Sequence, residues 1–207
     1  AQMREWCSGL VLSGGRGSRM GGADKGLVPW GGRPMVEWVC RQMRPLVAEL
    51  AISCNRNAAI HASFCDLTLS DAHTDYPGPL AGILAGLRSL RGSHLLVAPC
   101  DLPAIDLALL GELQQLALAH PGRIAVVRQG DRLQPLLCVL PRTLRAAVES
   151  AWAAGERSPS RLWQRLGTCE LACREDDPRL LNFNCPEVLL AARQSAQGEW
   201  GSYVDHR

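Results

Sequence analysis

Leu12-Ser13-Gly14-Gly15-Arg16-Gly17-Ser18-Arg19-Met20-Gly21-Gly22-Ala23-Asp24-Lys25-Gly26-Leu27 is the stretch that decides how this chain folds and what it binds. It continues directly from Leu10-Val11-Leu12, a short apolar run of the kind that forms a buried strand. Gly14, Gly15 and Gly17 remove side chains that would keep a ligand away from the backbone, and they permit positive φ angles. Arg19 and Lys25 then place two cations beside the exposed amides, one a bidentate fork and the other a compact point charge. Such a loop suits a triphosphate, whose charge it would neutralise along with the charge developing at an attacked phosphorus. The same residues also describe a glycine-rich surface loop with solvated basic side chains. Two familiar phosphate loops fit poorly. There is no G-K-[ST] ending, and the glycines do not keep G-x-G-x-x-G spacing.

Outward from this loop, apolar runs alternate with amphipathic segments. Pro34 to Leu46 predicts a helix with Pro34 near its first turn and Met35, Val39 and Met43 on one face. Strands are predicted at Leu50-Ala51-Ile52, at Leu67-Thr68-Leu69, and from His94 to Ala98, where Pro99 breaks the run. Leu80 to Leu90 reads as a helix whose Gly82 and Gly86 point to close packing or ligand approach. Asp106 caps a helix reaching Ala119. Strands at Ile124 to Val127 and Leu136 to Leu140 flank a turn at Gln129-Gly130-Asp131, and helices follow at Arg142 to Ala153 and Pro186 to Ser195. Glu156 to Ser160 reads as a polar loop. This alternation predicts an α/β fold: one Rossmann-like, three-layer α/β/α domain over residues 1–207, with a mostly parallel sheet. Ligands of such sheets bind beyond the carboxyl ends of the strands, where strand order switches.

Three more places carry chemistry. Pro99-Cys100-Asp101-Leu102-Pro103 sets a lone carboxylate at a strand end, where it could hold Mg²⁺ or simply begin a turn. Asp71 and the run Asp75-Tyr76-Pro77-Gly78-Pro79-Leu80-Ala81-Gly82 form a stiff loop that reads as a pocket wall or as an ordinary turn before the Leu80 helix. Later in the chain, Gln134-Pro135, Gly155-Glu156-Arg157 and Asn182-Phe183-Asn184-Cys185-Pro186-Glu187 set polar side chains beside strand and helix ends. Asn182 and Asn184 both donate and accept hydrogen bonds, which suits a polar ligand edge or a phosphate. Asn184 is equally placed to cap the helix after it.

With these residues in view, the chain resembles the molybdenum cofactor guanylyltransferases, within the glycosyltransferase-A-like nucleotidyltransferases. Their signature L-x-G-G-x-x-x-R-M-G-x-D-K is matched with one added glycine, Gly21 or Gly22. The Gly14-Gly15 pair stands where cytidylyl-transferring relatives typically carry A-A-G, which implies guanine here. Strings similar to P-C-D-x-P, D-Y-P-G-P-L-A-G and N-x-N-x-P-E occur in the same family, so the likeness extends from Leu12 to Glu187. The resemblance implies GTP contacts at Leu12, Ser13, Gly14, Gly15, Lys25, Ser53, Asp71 and Asp101, although relatives often place Asn where this chain has Ser53, with Asn55 two residues on. It implies molybdopterin contacts at Gln134, Arg157, Asn182 and Asn184, Mg²⁺ on Asp101, and a catalytic set of Arg19, Lys25 and Asp101. The implied reaction transfers GMP from GTP to the terminal phosphate of molybdopterin and releases pyrophosphate. The N-terminal part would serve GTP and Mg²⁺, and the C-terminal part molybdopterin. Transient contact with cofactor-insertion proteins or molybdoenzyme apoproteins is expected of such an enzyme.

Composition sets the remaining bounds. The chain has 207 residues, 47% of them hydrophobic and 20% charged, which is globular composition. A net charge of +2 argues against general nucleic-acid binding. Of nine cysteines, none in a C-x-x-C pair, most interrupt apolar runs as small hydrophobes, as Cys54, Cys100 and Cys138 do, and they are expected to be reduced. The polar start AQMREWC does not read as a signal peptide, and no apolar run approaches the ~18 residues of a membrane span, so a cytoplasmic protein is expected. Three other readings compete. A cytidylyl- or sugar-phosphate nucleotidyltransferase is opposed by Gly14-Gly15 and the asparagine string. A non-catalytic guanine-nucleotide carrier has little need of Asp101. A dinucleotide-dependent oxidoreductase lacks both the glycine spacing and the acidic residue that should follow it.

Overall fold

The computed structural model describes residues 5–14, 24–70 and 78–183. Seven of its strands form one sheet: β1 (Cys7–Leu12), β4 (Glu49–Ser53), β5 (Leu67–Leu69), β6 (His94–Pro99), β7 (Ile124–Gln129), β8 (Arg132–Pro141) and β9 (Thr168–Cys173). Two more, β2 (Pro29–Trp30) and β3 (Arg33–Pro34), make a separate small hairpin. The large sheet runs in the order β5-β4-β1-β6-β8-β7-β9. All neighbours are parallel except at β8, which is antiparallel to both β6 and β7.

Side-chain alternation along the strands separates two cores. On one face, Val11, Ile52, Leu96 and Val139 pack with α1 (Met35–Met43) and α4 (Leu107–Ala119). On the other, Leu10, Ala51, Val97 and Leu140 pack with α3 (Pro79–Ser89), α5 (Arg145–Ala153) and α6 (Pro159–Leu166). A single helical turn, α2 (Ala58–His61), lies between β4 and β5. This is the expected α/β arrangement with helices on both faces. Gly82 and Gly86 are explained by packing. A methyl group at Gly82 would come within 2.7 Å of Ser53 Oγ, and one at Gly86 within 2.9 Å of Leu10 Cδ2, so both glycines let α3 approach the sheet.

Several boundaries differ from expectation. The first helix begins at Met35, and Pro34 belongs to β3. Its last turn tightens into a 3-10 segment, Arg44–Leu46, because the Pro45 ring cannot continue an α-helix. Likewise Arg142–Leu144 is a 3-10 turn ahead of α5. Pro99 remains within its strand as the last residue, paired with Leu12, where its missing N–H costs no interior ladder bond. The segment read as a polar loop contains the start of α6: Ser158 accepts from Arg161 N, and Pro159 takes the first helical position. Strand β9 has no counterpart among the expected elements. The helix predicted from Pro186 to Ser195 lies outside the described residues.

The chain leaves β1 towards β4 and β5, then returns to β1's other side as β6, so strand order reverses between β1 and β6. Gly14 and Asp101 follow the carboxyl ends of those two strands. No helix among the described residues is long and apolar enough to cross a membrane.

Candidate active site

Two loops meet at this switch point. Leu12 O accepts from Cys100 N at 3.0 Å, and Ser53 O accepts from Ser13 N at 2.9 Å, so the ends of β1, β4 and β6 are tied together by main chain. Asp101, almost buried, lies just beyond β6. Lys25 returns to it from the far side of the glycine loop, and its Nζ donates to Asp101 Oδ2 at 2.8 Å. The lysine and aspartate side chains are 29% and 13% exposed, so this is not a freely solvated pair and its loss would strand a charge.

The residues flanking Lys25 are fixed. Lys25 opens a 3-10 turn, Lys25–Leu27, in which Asp24 O accepts from Leu27 N. Gly26 lies against β1 so tightly that a Cβ there would fall 1.9 Å from Ser13 Oγ. The Asp24 carboxylate accepts from His61 Nε2 at 3.0 Å and from Asn57 Nδ2 at 3.1 Å. Burial alone would raise the Asp24 pKa, but the hydrogen bonds from His61 and Asn57 outweigh it and the net shift is downward.

Ser53 and Asn55 part company here. Ser53 is buried, with its Oγ beside Gly82, whereas Asn55 is exposed and a Cβ on Gly14 would stand 3.6 Å from its Nδ2. Cys100, next to Asp101, is pushed up to about 12, mainly by burial and then by the neighbouring carboxylate; burial also drives Cys54 up to about 11. Both stay as thiols and behave as packing residues. All eight described cysteines are free.

The second-substrate residues divide. Gln134 and Asn182 line one cleft of about 510 Å³, together with Arg132, Leu133 and Leu181. A bulge opens it. The β7–β8 register jumps from Val126↔Cys138 to Val127↔Gln134, leaving residues 135–137 out of the ladder, while Pro135 O accepts from Trp163 Nε1 at 2.8 Å. Gln134 Nε2 donates to Gln129 Oε1 at 2.7 Å within that wall. The cleft is joined to Asp101 through the next residue: Phe183 N donates to Asp101 O at 3.1 Å, and the Phe183 ring packs against Met35 and Trp30. Arg157 does not line this cleft. Its guanidinium lies 3.6 Å over the Trp152 ring and donates to the carbonyls of Trp152 and Glu156. Gly15, Arg19, Asp71 and Asn184 lie outside the described residues.

A divalent cation would find oxygen at this site. Among the described residues no cluster of three or more His, Cys, Asp or Glu side chains forms a protein cage. The lone carboxylate of Asp101 instead suits a hard cation whose other ligands are substrate oxygens and water.

The family model of the MobA-like NTP transferase domain matches residues 9–169, which takes in most of β1, Lys25, Asp101 and the cleft's bulge. The chain belongs to the MobA-like NTP transferases. It is accordingly a nucleotidyltransferase. A molybdenum cofactor guanylyltransferase of Pseudomonas fluorescens (strain Pf0-1) is 52% identical over 183 residues, covering 88% of this chain and 92% of that protein. Another of that name, from Ectopseudomonas mendocina (strain ymp), is 51% identical over 191 residues, with 92% and 93% covered. Among solved structures, molybdopterin-guanine dinucleotide biosynthesis protein A of Archaeoglobus fulgidus superposes with a TM-score of 0.74 at 23% identity, over 92% of this chain and 99% of the other. The 2-C-methyl-D-erythritol 4-phosphate cytidylyltransferase of Thermus thermophilus gives 0.68 at 18% identity, over 91% and 98%. At those identities the likeness is one of fold, shared by MobA-like transferases and cytidylyltransferases alike.

Three residues beside the lysine escape a reading of the sequence. Asp24 lies inside the signature without a role, and no motif marks Asn57 or His61. The available signal is local: an Asn and a His four residues apart, after a strand end, in a polar stretch.

Proposed function

We propose that this chain transfers GMP from GTP to the terminal phosphate of molybdopterin, with Mg²⁺, forming a phosphoanhydride and releasing pyrophosphate. The reading is carried by the Lys25–Asp101 pair at the switch point of a chain about half identical to named guanylyltransferases. The acceptor phosphate is already ionised near neutral pH, so the protein needs no strong general base and works by positioning and charge neutralisation. Gly14 leaves room for the backbone to approach the nucleotide closely, and exposed Asn55 is better situated than buried Ser53 to meet the nucleoside. Lys25, released from Asp101, would hold the anionic oxygens about the attacked phosphorus. Mg²⁺ held by Asp101 would supply a Lewis acid for the phosphates. Gln134 and Asn182 would orient the pterin in the cleft, with Leu133 and Leu181 as its apolar walls. Arg19, Gly15, Asp71 and Asn184 complete the proposed set.

The test is pyrophosphate release from each of the four nucleoside triphosphates with Mg²⁺, with and without molybdopterin. Release with GTP only, and only in the acceptor's presence, is expected. A preference for CTP would overturn the guanine assignment, and GTP binding without release would favour a carrier.

A further inference from the structure

Lys25 has to leave Asp101 for a phosphate and still arrive in the right place, so something other than Asp101 must hold its backbone. Asp24 is that hold. Its side chain is 7% exposed and that of His61 is fully buried, and the two meet at 3.0 Å. Asn57 adds the second donor to the same oxygen, Oδ2. Asn57 caps α2 in the left-handed region, at φ 57°, a conformation Asn tolerates better than most residues. Adopting it lets one helical turn present both an amide and, four residues on, an imidazole to a single carboxylate. Gly26 completes the mount on the other side, seated on Ser13 with the His61 Cε1 edge 3.4 Å from where its Cβ would be. Lys25 therefore lies between two anchored neighbours, with its side chain alone left to change partners.

Nothing in packing alone requires a histidine at this place. His61 Nδ1 is buried without a hydrogen-bond partner among the described residues, so there the ring's one polar contact is to Asp24. What it does supply is a donor from Nε2 at a fixed distance from the residue before the lysine.

We infer that His61, with Asn57, is a positioning residue for transfer: by holding Asp24 it fixes the Lys25 backbone so that the ammonium can pass from Asp101 to the phosphates. This rests on the reading of Lys25 as the phosphate-binding lysine.

The experiment measures pyrophosphate release from GTP with molybdopterin for His61→Leu, His61→Gln, Asn57→Gly and Lys25→Ala, alone and with His61→Leu combined with Lys25→Ala. His61→Leu should lower kcat on the order of 10-fold with an unchanged KM for molybdopterin. His61→Gln, which restores a donor near the Nε2 position, should recover most of it. Asn57→Gly keeps the backbone conformation and should cost a few-fold. In the Lys25→Ala background, His61→Leu should cost almost nothing further, because it acts through the lysine. Multiplying losses, or a wild-type kcat in a folded His61→Leu protein whose Lys25→Ala counterpart is slow, would overturn the inference. If Lys25→Ala itself turns over normally, it is the reading of the lysine that falls. Should His61→Leu fail to fold, the double substitution of His61→Ala with Asn57→Gly decides. A kcat loss in that double at matched thermal stability supports the inference, and a wild-type kcat overturns it.

Discussion

The two ends of the central strands are built to opposite specifications. At the amino ends, Ser8 Oγ donates to Glu49 Oε1 and accepts from Gly92 N, both at 2.8 Å, and Arg91 N closes on the same Glu49 oxygen. Every one of those groups is answered from within the protein. At the carboxyl ends, His61 Nδ1 is buried without a hydrogen-bond partner among the described residues, and Asp101 is matched by the part-exposed Lys25. One end is closed by a side-chain network around Glu49, with Trp6 Nε1 buried beside it without a partner among the described residues; the other carries the Lys25–Asp101 ion pair at the switch point.

That contrast can be broken by substitution at either end. The largest effect is expected from Asp101→Asn, which should slow turnover by roughly 100- to 1000-fold at saturating Mg²⁺ while the protein still folds, at some loss of thermal stability because Lys25 is left without its partner. Wild-type rates would remove Asp101 from the chemistry. Lys25→Ala should follow, at roughly 100-fold in kcat/KM for GTP, and an unchanged rate and KM would show the loop to be structural. At the opposite end, Gly92→Ala should leave kcat alone but destabilise by about 2–3 kcal/mol, since its Cβ would fall 2.5 Å from Ser8 N, which is backbone and cannot rotate aside. Denaturant titration reads this, and a loss of activity without a loss of stability would erase the distinction between the ends. Gln134→Ala should be smaller, raising the KM for molybdopterin several-fold, as one neutral hydrogen bond is worth about 1 kcal/mol.

A last contrast concerns acid. The Asp24 carboxyl titrates below its ordinary value of 3.8, so its stabilising contribution is complete above that pH and is lost as pH falls through the lower folded value. Asp24→Asn should therefore flatten the acid-unfolding curve below 3.8 and reduce stability at neutral pH. An unaltered acid limb would mean that the carboxylate is not held as described.

Much of the fold is legible because each core element announces itself locally. Leu10-Val11-Leu12 and the Asp106 cap need only neighbouring residues, and Asp106 does accept from Leu109 N at 2.9 Å. Helix α6 hides although Ser158-Pro159 is a start signal, because the polar run from Glu156 to Ser160 weighs more than a cap when composition is read. Strand β9 hides for another reason: it sits at the sheet's edge, and its apolar positions are interrupted by Glu170. At the site, Lys25 and Asp101 are legible through their motifs. His61 is not, since its partner Asp24 is 37 residues away and only the return of the chain between β1 and β4 brings them together.

The bond from Phe183 N to Asp101 O bears on how the carboxylate and the cleft are spaced. In mechanical terms it is a pin through two levers. One lever is the β6 turn that carries the carboxylate, the other is the segment that lays Asn182 along the cleft, and the pin has no play because the Phe183 ring is seated against Met35 and Trp30. A chain threaded this way sets the gauge between the carboxylate and the cleft by one hydrogen bond's length, so any slip of residue 183 would move Asp101 and Asn182 out of gauge together.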